Sequence, residues 1–241
     1  MHNENDSAVG FIRASVLPDR CVFCDTAIEY RRKVCKSCMN SVKMFTGKCC
    51  LLCGLPSEIC CCDEKAVFYS AMTAVYRYDG VVRKGIHNWK FSDMSHSTRF
   101  FAERLSERIR ETFRDGDFDF ITFVPQTQAE TEEKGFNQSE KLARAVGNEL
   151  KIPVRKNLVK VYETERQHLL PLGDKRGNTF GVFDCINTEN IKNKKILLID
   201  DVKTSGSTIN ECAKMLMLYD AESVHCAVIA ATVRRRKKGE K

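Results

Sequence analysis

A short apolar segment that ends in two adjacent aspartates constrains the fold of this chain more than any other feature. Residues 196–199 read Ile-Leu-Leu-Ile without polar alternation, which is typical of a β-strand buried on both faces. Asp200 and Asp201 follow directly, at the strand end where parallel α/β sheets bind their ligands. Helical spacing begins at about Ile209, so the pattern predicts a strand, an acidic pair, a loop and a helix.

The loop at 204–208 has the chemistry of a phosphate site. Its hydroxyls, its glycine and its backbone N–H groups precede a predicted helix, where unpaired donors and the helix dipole attract anions. The aspartates cannot hold a phosphate directly, but they suit ribose hydroxyls or a Mg²⁺ shared with them. The segment therefore predicts a ligand that carries ribose 5-phosphate. In the alternative, an ordinary turn whose polar residues cap the helix, two facing carboxylates would have no ligand.

This segment resembles the PRPP-binding loop of the type I phosphoribosyltransferases, and its spacing differs from a Walker A loop and from G-x-G-x-x-G. The resemblance implies that the catalytic acidic pair, Asp200 and Asp201, contacts the ribose hydroxyls. It also implies that the residues after the pair hold the 5-phosphate. These residues are Thr204, Ser205, Gly206, Ser207 and Thr208.

Ten of the 13 cysteines lie between residues 21 and 62. In a cytoplasmic protein such a cluster indicates zinc rather than disulfides, because pairs of C-x-x-C spacing complete a four-thiolate tetrahedron. The predicted ligands of a first zinc ion are Cys21, Cys24, Cys35 and Cys38. Those of a second zinc ion are Cys50, Cys53, Cys60 and Cys62. Three consecutive cysteines at 60–62 leave the ligands of the second zinc ion open. In an alternative arrangement, the C-x-x-C pairs (zinc knuckles) would be interleaved between the two metal ions.

The remainder of the chain alternates strand and helix patterns. Residues 97–113 and 138–150 carry apolar residues at helical spacing, and 118–124 is an apolar strand that ends at Pro125. This alternation predicts an α/β fold with a parallel sheet, of the type I phosphoribosyltransferase kind, beside a small cysteine-rich zinc-binding region. The expected divisions are a flexible N-terminus (1–17), the zinc-binding region (18–66), the phosphoribosyltransferase-like domain (67–233) and a basic tail (234–241).

Several motifs occur in a recognisable order, namely 76–91, Val124-Pro125, 134–138 and the spaced residues between Thr164 and Phe183. With the cysteine region and the acidic pair, they make the chain resemble the ComF family, whose members join a zinc-binding region to a phosphoribosyltransferase domain. Some members serve DNA uptake in natural transformation. The resemblance implies PRPP or a nucleotide as ligand, with single-stranded DNA and other competence proteins as partners. It adds four PRPP contacts: Lys90, Lys134, Gln138 and Arg176.

One segment departs from the family pattern. ComF relatives carry arginines between Val-Pro and the Gly-Phe-Asn-Gln motif, whereas this chain has Glu130, Glu132 and Glu133 before Lys134. Basic residues in this loop would stabilise the departing pyrophosphate, and acidic residues would oppose it. The sequence therefore supports ligand binding more firmly than turnover. An active phosphoribosyltransferase, which releases pyrophosphate, is the alternative function.

Composition bounds the class of protein. The chain is 43% hydrophobic and 29% charged, as expected for a soluble globular protein, and its apolar runs are all shorter than the roughly 18 residues of a membrane span. The first residues lack the layout of a signal peptide, so we expect a cytoplasmic protein without membrane insertion. Residues 234–241 contribute +5 of the net charge of +7. They predict a solvated end, or a segment with non-specific affinity for nucleic acid.

Overall fold

The structure is a computed structural model, and it describes residues 19–60, 62, 67–91, 95–113, 117–161 and 182–233. The cysteine-rich part contains only short elements. Strands β1 (Asp19–Arg20) and β2 (Ala27–Ile28) pair antiparallel, helix α1 (Lys36–Ser41) follows, and a 3₁₀ turn covers Ser57–Ile59. Elements this short bury too little apolar surface to fold alone. They therefore need a bound metal and contacts with neighbouring elements to stay folded.

The rest of the chain alternates strands and helices. The elements in chain order are β3 (Ala71–Arg77), α2 (Gly80–Phe91), α3 (Ser95–Thr112), β4 (Phe120–Phe123), α4 (Gln128–Lys134), α5 (Gln138–Leu150), β5 (Leu158–Lys160), β6 (Phe183–Cys185), β7 (Lys195–Lys203), α6 (Ser207–Leu218) and β8 (Ser223–Ala231). Among the described residues, the main sheet has the strand order β3-β8-β7-β4, and every neighbouring pair is parallel. The predicted parallel α/β fold is therefore confirmed. Strands β5 and β6 form a separate antiparallel pair.

Helices cover both faces of the main sheet, as the unbroken apolar sequence of β7 predicts. Leu197 and Ile199 belong to the core under α2, α3 and α5. Ile196 and Leu198 belong to the opposite core, which α6 covers. All four side chains are fully buried. Among the described residues, no helix is both long enough and apolar enough to cross a membrane.

The cysteine-rich region covers the exposed edge of β3. The Phe45 N–H donates to the Val75 carbonyl (2.7 Å), and the Arg77 N–H donates to the Lys43 carbonyl (2.8 Å). Further along, the Met72 N–H donates to the Leu51 carbonyl (2.7 Å). These bonds satisfy backbone groups that an edge strand would otherwise offer to another chain.

Two elements differ from the sequence prediction. Strand β7 continues beyond the acidic pair to Lys203, because β8 pairs with it as far as Ala231. The segment expected to be an acidic loop contains helix α4. Its start is stabilised by a capping box in which Thr127 and Glu130 exchange backbone and side-chain hydrogen bonds.

Candidate ligand site and metal centres

The acidic pair lies near the carboxyl end of β7 and is held from two helices. Ser139, in the first turn of α5, donates its hydroxyl to Asp200 Oδ1 at 2.9 Å. Lys90, in the last turn of α2, forms an ion pair with Asp201, whose residue is only 8% exposed. The backbone N–H of Asp201 also donates to Asp200 Oδ1 (2.9 Å). Each carboxylate is therefore fixed in place by a different helix.

The pKa values of Asp200 and Lys90 are both shifted by their surroundings. Burial, and then the charge of Asp201, raise the pKa of Asp200 to about 7. Burial acts to lower the pKa of Lys90, but the charge of Asp201, the hydrogen bond to it and the charge of Asp200 together outweigh burial and raise this pKa above its ordinary value. Lys90 is thus a firm cation, while Asp200 titrates close to neutral pH. A cation or a set of hydroxyl donors at this position would favour the ionised form of Asp200.

The loop after β7 presents polar groups to solvent. Thr204, Ser205, Ser207 and Thr208 are exposed, and the hydroxyls of Ser205 and Ser207 lie 2.7 Å apart. Gly206 is the N-cap of α6, has a φ of +85° and makes no side-chain cap hydrogen bond. The Ser207 N–H donates to Ser205 Oγ (3.3 Å), but Gly206 offers no side chain to cap the N–H groups that follow in the first turn. Donors at such a helix start suit an anion.

Four sulfur atoms converge at each of two places in the cysteine-rich region. Those of Cys21, Cys24, Cys35 and Cys38 all lie within 4.8 Å of one another. The Sγ atoms of Cys24 and Cys35 are 3.7 Å apart, close to the edge of about 3.8 Å that follows from Zn–S bonds of about 2.3 Å. Backbone N–H groups of Cys35 and Cys38 point at the sulfurs of Cys21 and Cys35, which supports thiolates there.

The second group consists of Cys50, Cys53, Cys60 and Cys62. Its sulfur–sulfur distances include 3.5 Å between Cys50 and Cys62 and 3.5 Å between Cys53 and Cys60. Each group comes from one continuous stretch, so the interleaved alternative is not what the chain adopts. All-thiolate sets of this kind fit structural zinc ions, which hold the chain together and leave no open coordination position.

Comparisons with known proteins agree with this two-part organisation. Residues 12–68 match the family described as a double zinc ribbon domain, and residues 134–241 match the phosphoribosyl transferase domain. Competence protein ComFC of Bacillus subtilis is 26% identical over 196 residues, which cover 77% of this chain and 78% of the relative. Competence protein F of Haemophilus influenzae is 26% identical over 216 residues, covering 85% and 93%. The predicted resemblance to the ComF family is confirmed.

A third relative is the DNA utilization protein YhgH of Escherichia coli. It is 26% identical over 210 residues, which cover 83% of this chain and 91% of the relative. The three matches therefore extend over most of both proteins.

The motif at 134–138 and the residue after it join the elements around the acidic pair. Gly135 ends α4 in the left-handed conformation (φ +77°). Asn137 is the N-cap of α5, and its amide also donates to the Val124 carbonyl at the end of β4 (3.2 Å). Gln138 donates its amide to the Trp89 carbonyl (3.1 Å). Ser139 follows in the next position and donates to Asp200, a contact that was not predicted from the sequence. The one sequence feature that could have indicated it is the position of Ser139 in a helix start that Asn137 caps.

The four PRPP contacts that the ComF resemblance implies have different outcomes. Lys90 lies at the acidic pair, and its contact with PRPP stays a prediction. Gln138 is only 4% exposed and its amide bonds to the end of α2, which favours a supporting role behind the site, and its contact with PRPP stays a prediction. Lys134 ends α4, and its side chain is outside the described residues. Arg176 and the motif residues from Thr164 to Asn178 also lie outside them.

The acidic segment at 130–133 would repel an anionic ligand less than its composition indicates. Both carboxylate oxygens of Glu130 lie 3.1 Å from Lys160 Nζ on β5. The Thr127 N–H, followed by Lys160, lowers the pKa of Glu130 below its ordinary value. One of the three glutamates is therefore compensated by a lysine that nothing in the sequence singles out.

Proposed function

We propose that this ComF-family protein binds PRPP, or another ligand with a ribose 5-phosphate group, together with Mg²⁺. The observation that carries the proposal is the acidic pair, which Lys90 and Ser139 hold beside the uncapped N-terminus of α6. The carboxylate pair lies near the carboxyl end of β7 and suits the ribose hydroxyls with Mg²⁺, and the start of α6, which follows β7, suits the 5-phosphate.

Each group has a distinct part in this proposal. Asp200 and Asp201 accept hydrogen bonds from the ribose hydroxyls or share a Mg²⁺ with them. The exposed hydroxyls and N–H groups of 204–208 surround the 5-phosphate. When bound, Mg²⁺ neutralises charge between the ligand and the carboxylates. Lys90 limits the repulsion between the two carboxylates before any ligand arrives.

We further propose that binding serves DNA uptake in natural transformation and takes place in the cytoplasm. The link to DNA is supported by the relatives, which are competence proteins and a DNA utilization protein. Single-stranded DNA and other competence proteins are the proposed partners. The basic residues of 234–241 would add a sequence-independent attraction for DNA phosphates.

Active phosphoribosyl transfer is the second candidate function. In this reaction an acceptor attacks the anomeric carbon of PRPP, a new bond forms there, and the bond to pyrophosphate breaks. The ion pair between Glu130 and Lys160 favours this candidate, because it removes part of the negative charge that would oppose the leaving group. The side chains would act through positioning and charge stabilisation.

Calorimetric titration with PRPP and Mg²⁺ tests the proposal. Asp200→Asn and Asp201→Asn should each weaken binding by about tenfold or more, because each removes a charged contact. Asp119→Asn is the matched control, since Asp119 precedes β4 at the opposite end of the sheet and pairs with Lys194. The proposal fails if the wild-type protein does not bind PRPP. Pyrophosphate release with a panel of nucleobases and ammonia then separates binding from transfer.

The DNA part of the proposal has its own test. Binding of a fluorescent single-stranded oligonucleotide should decrease with salt, and should weaken when residues 234–241 are removed. If the full chain does not bind the oligonucleotide, direct contact with DNA is wrong, and the PRPP proposal is judged on the calorimetry alone.

A further inference from the structure

One aromatic side chain connects the first zinc site to the core beneath the acidic pair. Phe23 stands between the zinc ligands Cys21 and Cys24 and is only 1% exposed. Its ring makes edge contacts with Tyr76 of β3 and with Phe100 and Phe101 of α3, at centroid distances of 5.8, 5.9 and 6.0 Å. Through Phe23, the first zinc site thus contributes a side chain to the buried core between β3 and α3.

Helix α2 approaches this knuckle unusually closely. A Cβ atom added at Gly85 would lie 2.8 Å from the Cα of Phe23 and 3.0 Å from the carbonyl oxygen of Val22. Real Cβ atoms do not tolerate such distances to backbone, so the contact depends on a glycine at position 85. The backbone of the first zinc site and that of α2 are therefore in direct contact at this position.

The same helix ends at the ligand site. Trp89 is fully buried, lies 5.3 Å from Phe101 between ring centroids, and donates its indole N–H to Thr98 Oγ1 (2.8 Å). Lys90, the next residue, forms the ion pair with Asp201. Gly85 and Lys90 are five positions apart, about one and a half helical turns. A displacement at Gly85 is therefore transmitted to Lys90 by a short, rigid helix.

We infer that the first zinc site is a positioning element of the ligand site, acting through Phe23 and α2 to hold Lys90 against Asp201. Zinc fixes Cys21 and Cys24, these ligands fix Phe23, and Phe23 fixes the helix. Loss of this zinc releases Phe23 and removes Lys90 from the acidic pair. The consequence for PRPP rests on the proposed function, whereas the placement of α2 does not.

The second zinc site provides the contrast. Cys53 and Leu55 belong to the core on the opposite face of the sheet, and among the described residues that core includes none from α2. Leu55 is 4% exposed, so its truncation, like that of Phe23, removes buried apolar contacts next to a zinc site. Truncation at Leu55 should lower stability without moving Lys90.

The experiment compares Phe23→Ala with Leu55→Ala, together with the milder pair Phe23→Leu and Leu55→Val. Trp89 is the only tryptophan of the chain, so its fluorescence reports on α2 directly. For each variant we would measure acrylamide quenching of Trp89 and the affinity for PRPP with Mg²⁺, at a temperature where circular dichroism shows it folded. If the alanine variants do not fold, the milder pair decides.

Phe23→Ala should expose Trp89 to the quencher and weaken PRPP binding by about tenfold, with Phe23→Leu in between. Leu55→Ala should keep the quenching of the wild type and an affinity within about twofold of it. Equal effects of the two truncations, or unchanged quenching in Phe23→Ala, would overturn the inference. Absence of PRPP binding in the wild-type protein would end the proposed function only, because the quenching comparison decides the position of α2 without a ligand.

Discussion

Gln138 donates its side-chain amide to the main-chain carbonyl of Trp89 over 3.1 Å, and this hydrogen bond joins the end of α2 to the start of α5. The residues that follow these two in sequence, Lys90 and Ser139, contact the acidic pair. A single buried amide therefore holds together the two helices that position both carboxylates. We therefore expect Gln138 to act on the ligand site through these helices.

Replacing Gln138 tests this relationship. Gln138→Ala leaves the Trp89 carbonyl without its partner in a buried environment, so it should lower the free energy of unfolding by about 1–3 kcal/mol. It should also weaken PRPP binding by about fivefold, since α2 and α5 lose the hydrogen bond that joins them. Urea unfolding and calorimetry provide the two values. Unchanged affinity in a destabilised but folded variant would show that the bond matters for stability alone.

The raised pKa of Asp200 predicts how stability depends on pH without ligand or Mg²⁺. The folded protein keeps a proton on Asp200 up to a pH of about 7, whereas the unfolded chain releases it near 3.8. The stability due to this group is therefore complete below pH 3.8 and is lost as the pH rises through 7. Urea unfolding at several pH values should show wild-type stability falling relative to Asp200→Asn over this window. Parallel curves for the two proteins would contradict the raised pKa.

Gly206 tests the phosphate loop. Gly206→Ala places a side chain at a φ of +85° and 3.0 Å from Lys203 Cε, which should cost about 1–2 kcal/mol and distort the start of α6. PRPP affinity, measured by calorimetry, should fall by about tenfold. Gly47→Ala is the matched control, because Gly47 also has a positive φ (+72°) but meets nothing within 4 Å of an added Cβ. Comparable losses of affinity in both variants would assign the effect to general strain.

Metal content tests the two cysteine groups separately. Protein purified without chelator should contain about two equivalents of zinc by elemental analysis, one for each four-thiolate set. Cys24→Ser and Cys62→Ser should each lose about one equivalent, because three remaining thiolates hold zinc more weakly. Zinc content well below one equivalent in the wild-type protein would contradict both sites.

Local patterns explain which features were predictable. The apolar run 196–199 and the cysteine spacings act over a few residues, so the buried strand, the acidic pair and the zinc ligands follow directly from the sequence. The contact between Ser139 and Asp200 spans 61 positions, and a serine at a helix start has many roles. Only the packing of α5 against β7 selects this one.

The acidic segment shows the limit of composition. Glu130 reads as a charge that opposes pyrophosphate, but the folded chain uses it in a capping box and pairs it with Lys160, 30 positions away. Phe23 is similar, because a residue between two zinc ligands gives no sign that it packs on Gly85 of another element. In both cases the partner is fixed by tertiary structure.

The most direct test of the central claim is calorimetric titration of the wild-type protein, Asp200→Asn and Asp119→Asn with PRPP and Mg²⁺. Saturable binding to the wild type and to Asp119→Asn, with affinity weakened by about tenfold or more in Asp200→Asn, is the predicted result. No binding to the wild type, or equal affinity in all three proteins, would contradict a ribose 5-phosphate site at the acidic pair.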